Sequence, residues 1–187
     1  RTVNAKLVLL GRSILPEKEN WDAWLATHGD EDQISIKIKR AKKVVSIGAE
    51  VLFGNADVSN VEETRQVLDR AYRRFGPIHG VVHAAGNPGD GLMQLKTTEA
   101  AARVFAPKVT GTLVLADLLK DTPLDFFVLF SWIRSLQGGV GHSDYCAANA
   151  FLDAFARYKS LHDGTLVQSI NWGGWSEVGM SVDYARE

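Results

Sequence analysis

The chain has 187 residues, of which 45% are hydrophobic and 23% are charged, a composition typical of a folded globular protein. Its formal net charge of -1 offers no basic face, so neither nucleic acid nor an acidic membrane is an expected partner. No apolar run approaches the ~20 residues of a membrane-spanning helix, and the opening residues lack the pattern of a signal peptide. Cys146 is the single cysteine, which excludes an internal disulfide and favours a reducing, cytoplasmic setting.

Five apolar segments are predicted to be β-strands, because they are nearly continuous in apolar character, as strands buried on both faces are. They are KLVLL (6–10), AEVLF (49–53), IHGVVHAAG (78–86), LDFFVLFS (124–131) and LVQSINWG (166–173). Amphipathic segments alternate with them along the chain. This alternation predicts the α/β class, with a Rossmann-like, doubly wound parallel sheet.

Three segments between the strands predict helices with an apolar stripe. Residues 14–33 predict a loop and a short helix held by Trp21, Trp24 and Leu25, before a helix that carries Ile34, Ile38, Ala41 and Val45. The stripe of the helix that ends at Gly76 is Val61, Leu68, Ala71, Tyr72 and Phe75. The predicted stripe of the helix after Ser143 is Ala147, Ala150, Phe151, Ala154, Phe155 and Tyr158.

One part of a dinucleotide-binding domain is missing from the expected order. Such a domain normally opens with a strand, a glycine-rich turn and a helix whose N-terminus holds a pyrophosphate. Here the sequence opens with RTVNAKLVLLGRS, which has the character of a second strand, and the glycine-rich QGGVGH (137–142) is predicted to be a loop. We therefore expect residues 1–187 to be one fragment of a longer chain, without the first strand and its glycine-rich loop, so that the sheet has a gap.

Seven motifs follow one another between Lys6 and Met180. They are LLGRS, ADVSN, FGPIHGVVHAAG, APKVTGT, DFFVLFS, SDYCAANAFLDAFA and INWGGWSEVGM. In this order and spacing they resemble the ketoreductase domains of modular type I polyketide synthases, members of the short-chain dehydrogenase/reductase superfamily. The resemblance implies reduction of a β-ketoacyl thioester by NADPH during polyketide chain extension, with no metal. It also implies two kinds of partner: an acyl carrier protein that holds the substrate on phosphopantetheine, and neighbouring synthase domains.

The resemblance implies a catalytic set of Tyr145, Lys108, Asn149 and Ser131. Tyr145 would supply the proton, and because a free phenol has a pKa of ~10, a nearby cation is needed to make it useful near neutrality. Lys108 matches the family's lysine, and Asn149, one helical turn after Tyr145, stands where simpler relatives carry lysine. From the residues alone, a packed tyrosine and a surface lysine remain the alternative. We expect the three side chains to converge at the carboxyl ends of the strands.

The serine position departs from the family pattern. The family ends this strand in Ser-Ser and uses the second serine to polarise the substrate carbonyl, but here Trp132 stands at that position and Ser131 precedes it. Adjacent strand residues face opposite ways, so Ser131 could replace the missing donor only through a bulge, unless Ser135 reaches in. Losing one such donor typically costs ~10²–10³ in rate, and a bulky indole would also occupy the space of the β-keto group.

The resemblance also implies a cofactor-binding set spread along the chain. It consists of Arg12, Ser13, Asp57, Val58, His83, Ala84, Ala85, Gly86, Trp172 and Gly173. In the family, a basic residue at the position of Arg12 pairs with the 2′-phosphate of NADPH. An arginine at the end of a strand can also be an ordinary surface residue without a binding role. Asp57 matches the turn that contacts adenine, or it could cap the next helix. Residues 83–86 match the segment beside the nicotinamide ribose, and residues 172–173 the site of the carboxamide.

Two other functions stay open at this point. A catalytically inactive, structural ketoreductase-like domain would explain Trp132 and the missing glycine-rich segment. A stand-alone short-chain dehydrogenase would not explain residues 21–32 or the exchanged lysine and asparagine. Asp90 matches one residue of a motif that marks one stereochemical class, whereas His142 is found in another, so no product configuration is predicted.

Overall fold

The structure is a computed structural model that describes residues 5–89, 91–162, 164–175 and 179. Its contacts divide the chain into two compact units, residues 1–57 with 62–76 and residues 58–61 with 77–187. Each unit contains a parallel sheet, which confirms the predicted α/β class. Within the described ranges, no helix has both the length and the apolar character needed to cross a membrane.

The first unit is built on two strands. Its elements are β1 (Lys6–Gly11), α1 (Trp21–Thr27), α2 (Gln33–Ser46), β2 (Glu50–Asn55) and α3 (Val61–Phe75). β1 and β2 pair in parallel, with Lys6 opposite Glu50. α3 lies close to β2, because a Cβ added at Gly54 would stand 2.4 Å from Cγ1 of Val67. Only glycine permits this approach of helix and strand.

The core of the first unit lies where the short tryptophan-rich helix was predicted. Its buried members are Trp21, Ile38 and Ala41, with Leu15, Trp24, Leu25, Ile34 and Phe53 packed around them. The indole N–H of Trp21 donates to the carbonyl of Pro16 at 2.9 Å, and that of Trp24 donates to Asp32 at 3.1 Å. Both tryptophans therefore bury apolar area without leaving a polar group unsatisfied.

The second unit contains the remaining three strands in the order β3-β4-β5, all parallel. Its elements are β3 (Gly80–His83), α4 (Thr98–Phe105), α5 (Gly111–Leu118), β4 (Phe126–Trp132), α6 (Arg134–Gln137), α7 (Ser143–His162) and β5 (Val167–Trp172). The glycine-rich residues 138–142 form the predicted loop between α6 and α7.

The strands are less completely buried than predicted. In β4, Phe127, Leu129 and Ser131 are buried, while the residues between them are half-buried or exposed. α7 packs on β4 and β5, and the buried residues of β4 face it. None of the residues of β1 is fully buried. Successive strand residues point to opposite faces, so a single packed helix layer covers only every second side chain.

The predicted apolar stripe of α7 is only partly correct: Phe155 is buried and Phe151 is half-buried, but the other four residues of the stripe are not. Ala147, Ala150, Ala154 and Tyr158 are exposed. The buried residues of this helix are Asp144, Tyr145, Ala148, Asn149, Leu152, Phe155 and Ala156. In the first turns of the helix, the buried face includes the polar residues Asp144 and Asn149. The pattern of apolar residues in the sequence therefore indicated a different face.

Candidate active site

A cavity of about 540 Å³ lies in the second unit, at the carboxyl ends of β3, β4 and β5. Its aromatic walls are formed by Phe130, Trp132, Tyr145, Trp172 and Trp175. Smaller and polar walls are formed by Ala84, Pro88, Lys108, Ser131, Arg134, His142, Gly173 and Gly174. An apolar cavity of this size with a few convergent polar groups is typical of small-molecule sites. Open α/β sheets bind their ligands at this end.

Lys108 reaches the cavity from a widened helical turn. Residues 106–110 form a π-helical segment between α4 and α5, in which the N–H of Gly111 bonds to the carbonyl of Ala106. The carbonyl of Pro107 instead accepts a hydrogen bond from Nε2 of His83 at 3.0 Å. Such segments are frequent at functional sites. Lys108 is only 2% exposed, so the alternative of a surface lysine is excluded.

The Lys108 ammonium lies between the end of β4 and the ring of Tyr145. Its Nζ donates to the carbonyl of Phe130 at 2.9 Å and stands 5.4 Å from the centre of the Tyr145 ring. Burial lowers the pKa of Lys108 to about 8, although the negative charge of Asp153 works in the opposite direction. At neutral pH the group is therefore still a cation, placed beside a phenol.

Tyr145 and Asn149 lie on the buried face of α7. Nδ2 of Asn149 donates to the backbone carbonyl of Tyr145 at 2.7 Å. Burial raises the pKa of Tyr145 above its ordinary value, and Asn149 offsets part of the rise. The phenol is therefore protonated at neutral pH and has a proton to give. The structure thus brings Lys108, Tyr145 and Asn149 together at one end of the sheet.

Neither route by which a serine could replace the missing donor is present. The pairing of β4 with β5 runs without a break from Phe127 to Trp132, so no bulge turns Ser131. The Ser131 hydroxyl donates to the backbone carbonyl of Asn149 at 3.2 Å. Ser135 donates to Asp153 at 2.7 Å and does not line the cavity. Ser131 still contributes to the cavity wall.

The Trp132 indole is held in the cavity wall by aromatic and cationic neighbours. Its ring centre lies 5.3 Å from that of Tyr145, with 57° between the planes, and 5.5 Å from that of His142, nearly perpendicular at 89°. The Arg134 guanidinium stands 5.3 Å from the centre of the same ring. These contacts fix the indole next to the phenol.

Some of the predicted cofactor residues lie in the second unit. Ala84, Trp172 and Gly173 line the cavity. Ala85 and Gly86 continue the same connection and are half-buried. These residues bring small side chains and one indole to the carboxyl ends of β3 and β5.

Val58 and His83 lie in the layer behind that wall. A Cβ added at Gly111 would stand 2.7 Å from Cγ1 of Val58 and 3.6 Å from the His83 ring, so the three residues pack tightly. Burial, together with the nearby Lys108 charge, lowers the pKa of His83 to about 4. His83 is therefore a neutral donor to the helix carbonyl at physiological pH.

The remaining predicted cofactor residues belong to the first unit. Arg12 is exposed directly after β1, and its carbonyl accepts from Nδ2 of Asn55 at 2.8 Å. The hydroxyl of Ser13 accepts a hydrogen bond from the ammonium of Lys37 on α2. The backbone N–H of Asp57 donates to Glu63 at 2.8 Å, which fastens this turn to α3. Lys37 was missed in the sequence, because a lysine on an exposed helix face carries no signal.

The sequence also gave no sign of a polar cluster beneath the cavity. Its centre is the Asp153 carboxylate, which accepts from Ser135 at 2.7 Å, Ser169 at 2.6 Å and Asn171 at 3.0 Å. Burial by itself would raise the pKa of Asp153, but these hydrogen bonds outweigh it and lower the pKa. The cluster ties the end of β5 to α6 and α7. Its members are scattered between positions 135 and 171 and share no motif.

The chain is similar to several known proteins. The family described as "KR domain" matches residues 2–177. The chain is similar to polyketide synthase PksN of Bacillus subtilis (strain 168), with 36% identity over 194 residues that cover 100% of this chain and 3% of that synthase. It is 34% identical to the 6-methylsalicylic acid synthase of Aspergillus terreus over 180 residues, 95% of this chain and 10% of that enzyme.

A solved structure of a ketoreductase domain from the bacillaene assembly line has a similar fold. It superposes with a TM-score of 0.80 and 36% identity, covering 100% of this chain and 42% of that one. The present chain thus spans only a small part of its curated relatives and less than half of this solved domain. By family match, identity and Rossmann-like fold, this chain belongs to the ketoreductase (KR) domains of polyketide synthases.

Proposed function

We propose that this chain carries the catalytic residues of an NADPH-dependent β-ketoacyl reductase in a polyketide synthase. Its substrate would be a β-ketoacyl thioester held on the phosphopantetheine arm of an acyl carrier protein, in the cytoplasm and beside other synthase domains. The observation that carries the proposal is the buried Lys108 ammonium, 5.4 Å from the centre of the Tyr145 ring, in a cavity at the carboxyl ends of the strands.

The residues at this end of the sheet fit a flat cofactor ring. Ala84, Gly173 and Gly174 leave part of the cavity wall without bulky side chains. Oδ1 of Asn149 and Nε1 of Trp172 are buried and have no hydrogen-bond partner among the described residues, and such atoms are typical of ligand sites. NADPH would supply the hydride. Residues 83–86 and 172–173 would hold its nicotinamide half.

The proposed roles follow from the positions of the side chains. Tyr145, protonated at neutral pH, gives its proton to the oxygen of the substrate carbonyl as charge develops there. The Lys108 cation stabilises the phenolate that remains, because an opposite charge close to a phenol lowers its pKa. Asn149 holds the first turn of α7 through the carbonyl of Tyr145. Ser131 lies on the cavity wall and is the serine that remains at the end of β4.

The presence of Trp132 favours a reductase with a low rate or, as the second candidate function, a structural domain without catalytic activity. Its indole lies against Tyr145, at the position from which the family's serine polarises the carbonyl. The lost donor and the bulky ring both act at the reacting centre, so both kcat and apparent affinity should suffer. A scaffold that holds neighbouring synthase domains would tolerate this substitution without any functional loss.

The test of the proposed function is consumption of NADPH with a β-ketobutyryl thioester of N-acetylcysteamine, measured on the protein that contains this chain. Slow but thioester-dependent oxidation of NADPH is expected. Its complete absence, even after Trp132→Ser, would favour the structural domain.

The first-unit residues support a specific prediction about cofactor choice. Arg12→Met and Lys37→Met should each weaken NADPH binding at least about tenfold and leave NADH binding unchanged, because charged hydrogen bonds to a phosphate are lost. Dissociation constants for the two cofactors, measured by fluorescence, provide the check. Lys39→Met on the same helix, whose lysine pairs with Asp30, is the control. An equal loss for NADPH and NADH would contradict a 2′-phosphate site.

Lys108 leads to a prediction about pH. Its pKa of about 8 means that the cation beside Tyr145 is lost as the pH rises through that value, so the rate should fall above about pH 8. Asp153→Asn removes the negative charge that raises this pKa and should move the falling limb to lower pH. Profiles of kcat against pH would show the shift. As a control, Asp117→Asn, which changes an exposed ion pair with Lys120, should not alter the pH at which kcat falls.

A further inference from the structure

The connection between β3 and α4 (residues 84–89 and 91–97) passes the cavity and buries little apolar surface. Ala84 and Pro88 belong to the cavity wall. Beyond them, Leu92 is 51%, Met93 69% and Leu95 78% exposed. Hydrophobic burial therefore contributes little to holding this connection in place. Polar contacts have to fix its position.

A buried ion pair provides the strongest of these contacts. Nζ of Lys96 lies 2.7 Å from Oδ1 of Asp144, and the two side chains are only 9% and 5% exposed. The same carboxylate oxygen accepts the backbone N–H of Tyr145 at 2.8 Å. The pair therefore joins the far end of the connection directly to the peptide unit of Tyr145.

The middle of the connection is held by the residues at the start of α7. His142 donates from Nδ1 to the carbonyl of Gly89 at 2.9 Å. Gly89 itself packs on the carboxylate of Asp144, because an added Cβ would lie 2.4 Å from Oδ1. The middle and the far end of the connection thus both contact residues 142–145.

We propose that Lys96 and Asp144 are positioning residues, which latch the β3–α4 connection against the first turn of α7 and so shape the substrate wall beside Tyr145. Neither group needs to touch the substrate. The ion pair acts by keeping Pro88 and Tyr145 in the wall of one cavity. The inference rests on the proposed function for the identity of the ligand, a β-ketoacyl thioester.

The test compares stability with thioester affinity in the natural protein. Affinity for the β-ketobutyryl thioester is read from the fluorescence of the cavity tryptophans, without NADPH and therefore without turnover. Lys96→Met and Asp144→Asn should each weaken binding about tenfold, because the contact between the connection and α7 is lost. Lys96→Met should also lower the Tm by roughly 10 °C, because it leaves the buried Asp144 carboxylate without its cation. Lys96→Arg, which keeps the pair, should rescue both. Lys120→Met, at an exposed pair, is the control.

The double variant Lys96→Met/Asp144→Asn separates a positioning role from a purely structural one. With the buried Asp144 charge removed as well, its Tm should rise above that of Lys96→Met. Its thioester affinity should stay about tenfold weaker, because the ion pair no longer holds the β3–α4 connection against α7. Recovery of affinity together with Tm would overturn the inference, as would no binding by the natural protein. Binding without NADPH oxidation would instead overturn the proposed function alone.

Discussion

Trp132→Ser is expected to raise the rate of thioester-dependent NADPH oxidation by about 10²–10³-fold, the usual worth of one donor aimed at a developing oxyanion. The variant restores a hydroxyl at the carboxyl end of β4, and it removes an indole that now lies 5.3 Å from the Tyr145 ring. Because the two changes act at the reacting centre, kcat should rise and KM for the thioester should fall together.

Two further variants separate the effect of the missing hydroxyl donor from the effect of the bulky indole ring. Trp132→Ala opens the same space without a hydroxyl, so it should restore affinity but only part of kcat. Trp132→Thr also places a hydroxyl there but keeps more bulk than serine, so it should raise kcat less than Trp132→Ser does. Equal, vigorous turnover by the natural protein and by Trp132→Ser would show that another donor serves. In that case the structural-domain hypothesis would lose its main support.

Tyr145→Phe is expected to reduce turnover by about 10²–10⁴-fold, the usual contribution of a positioned proton donor. The measurement is best made in the Trp132→Ser protein, because its higher expected rate allows a large decrease in turnover to be measured. Phenylalanine keeps the packing of the ring against Val104 and Ala148, so folding should be preserved. Only the phenolic hydroxyl is removed.

The same helix offers a matched control for this variant. Tyr158→Phe removes a hydroxyl from a tyrosine that is 58% exposed and should leave the rate unchanged. NADPH affinity should be equal in all of these proteins, because Tyr145 is assigned to proton transfer. A Tyr145→Phe protein that retains a rate within about threefold would remove Tyr145 from the mechanism, whatever the cause of the slow natural rate.

The strands and the fold class could be predicted from the sequence because they depend on neighbours along the chain. Each of the five predicted strands is present, since a short apolar run between turn residues determines its own conformation. The short helix at Trp21 and Trp24 was predictable for the same reason. The family followed from seven motifs in order, a property of the sequence that needs no geometry.

The tertiary structure alone decided which face of α7 is buried and which groups meet in the cavity. Apolar periodicity indicated the Ala147–Tyr158 side, but the packed face includes Asp144 and Asn149, whose polarity hides it from any pattern of hydrophobic residues. Three further features depend on residues from separate elements. They are the buried position of Lys108, the Asp153 cluster and the Lys96–Asp144 pair. Such contacts depend on how helices and strands pack against one another, and that information is carried by the assembled unit rather than by any one segment.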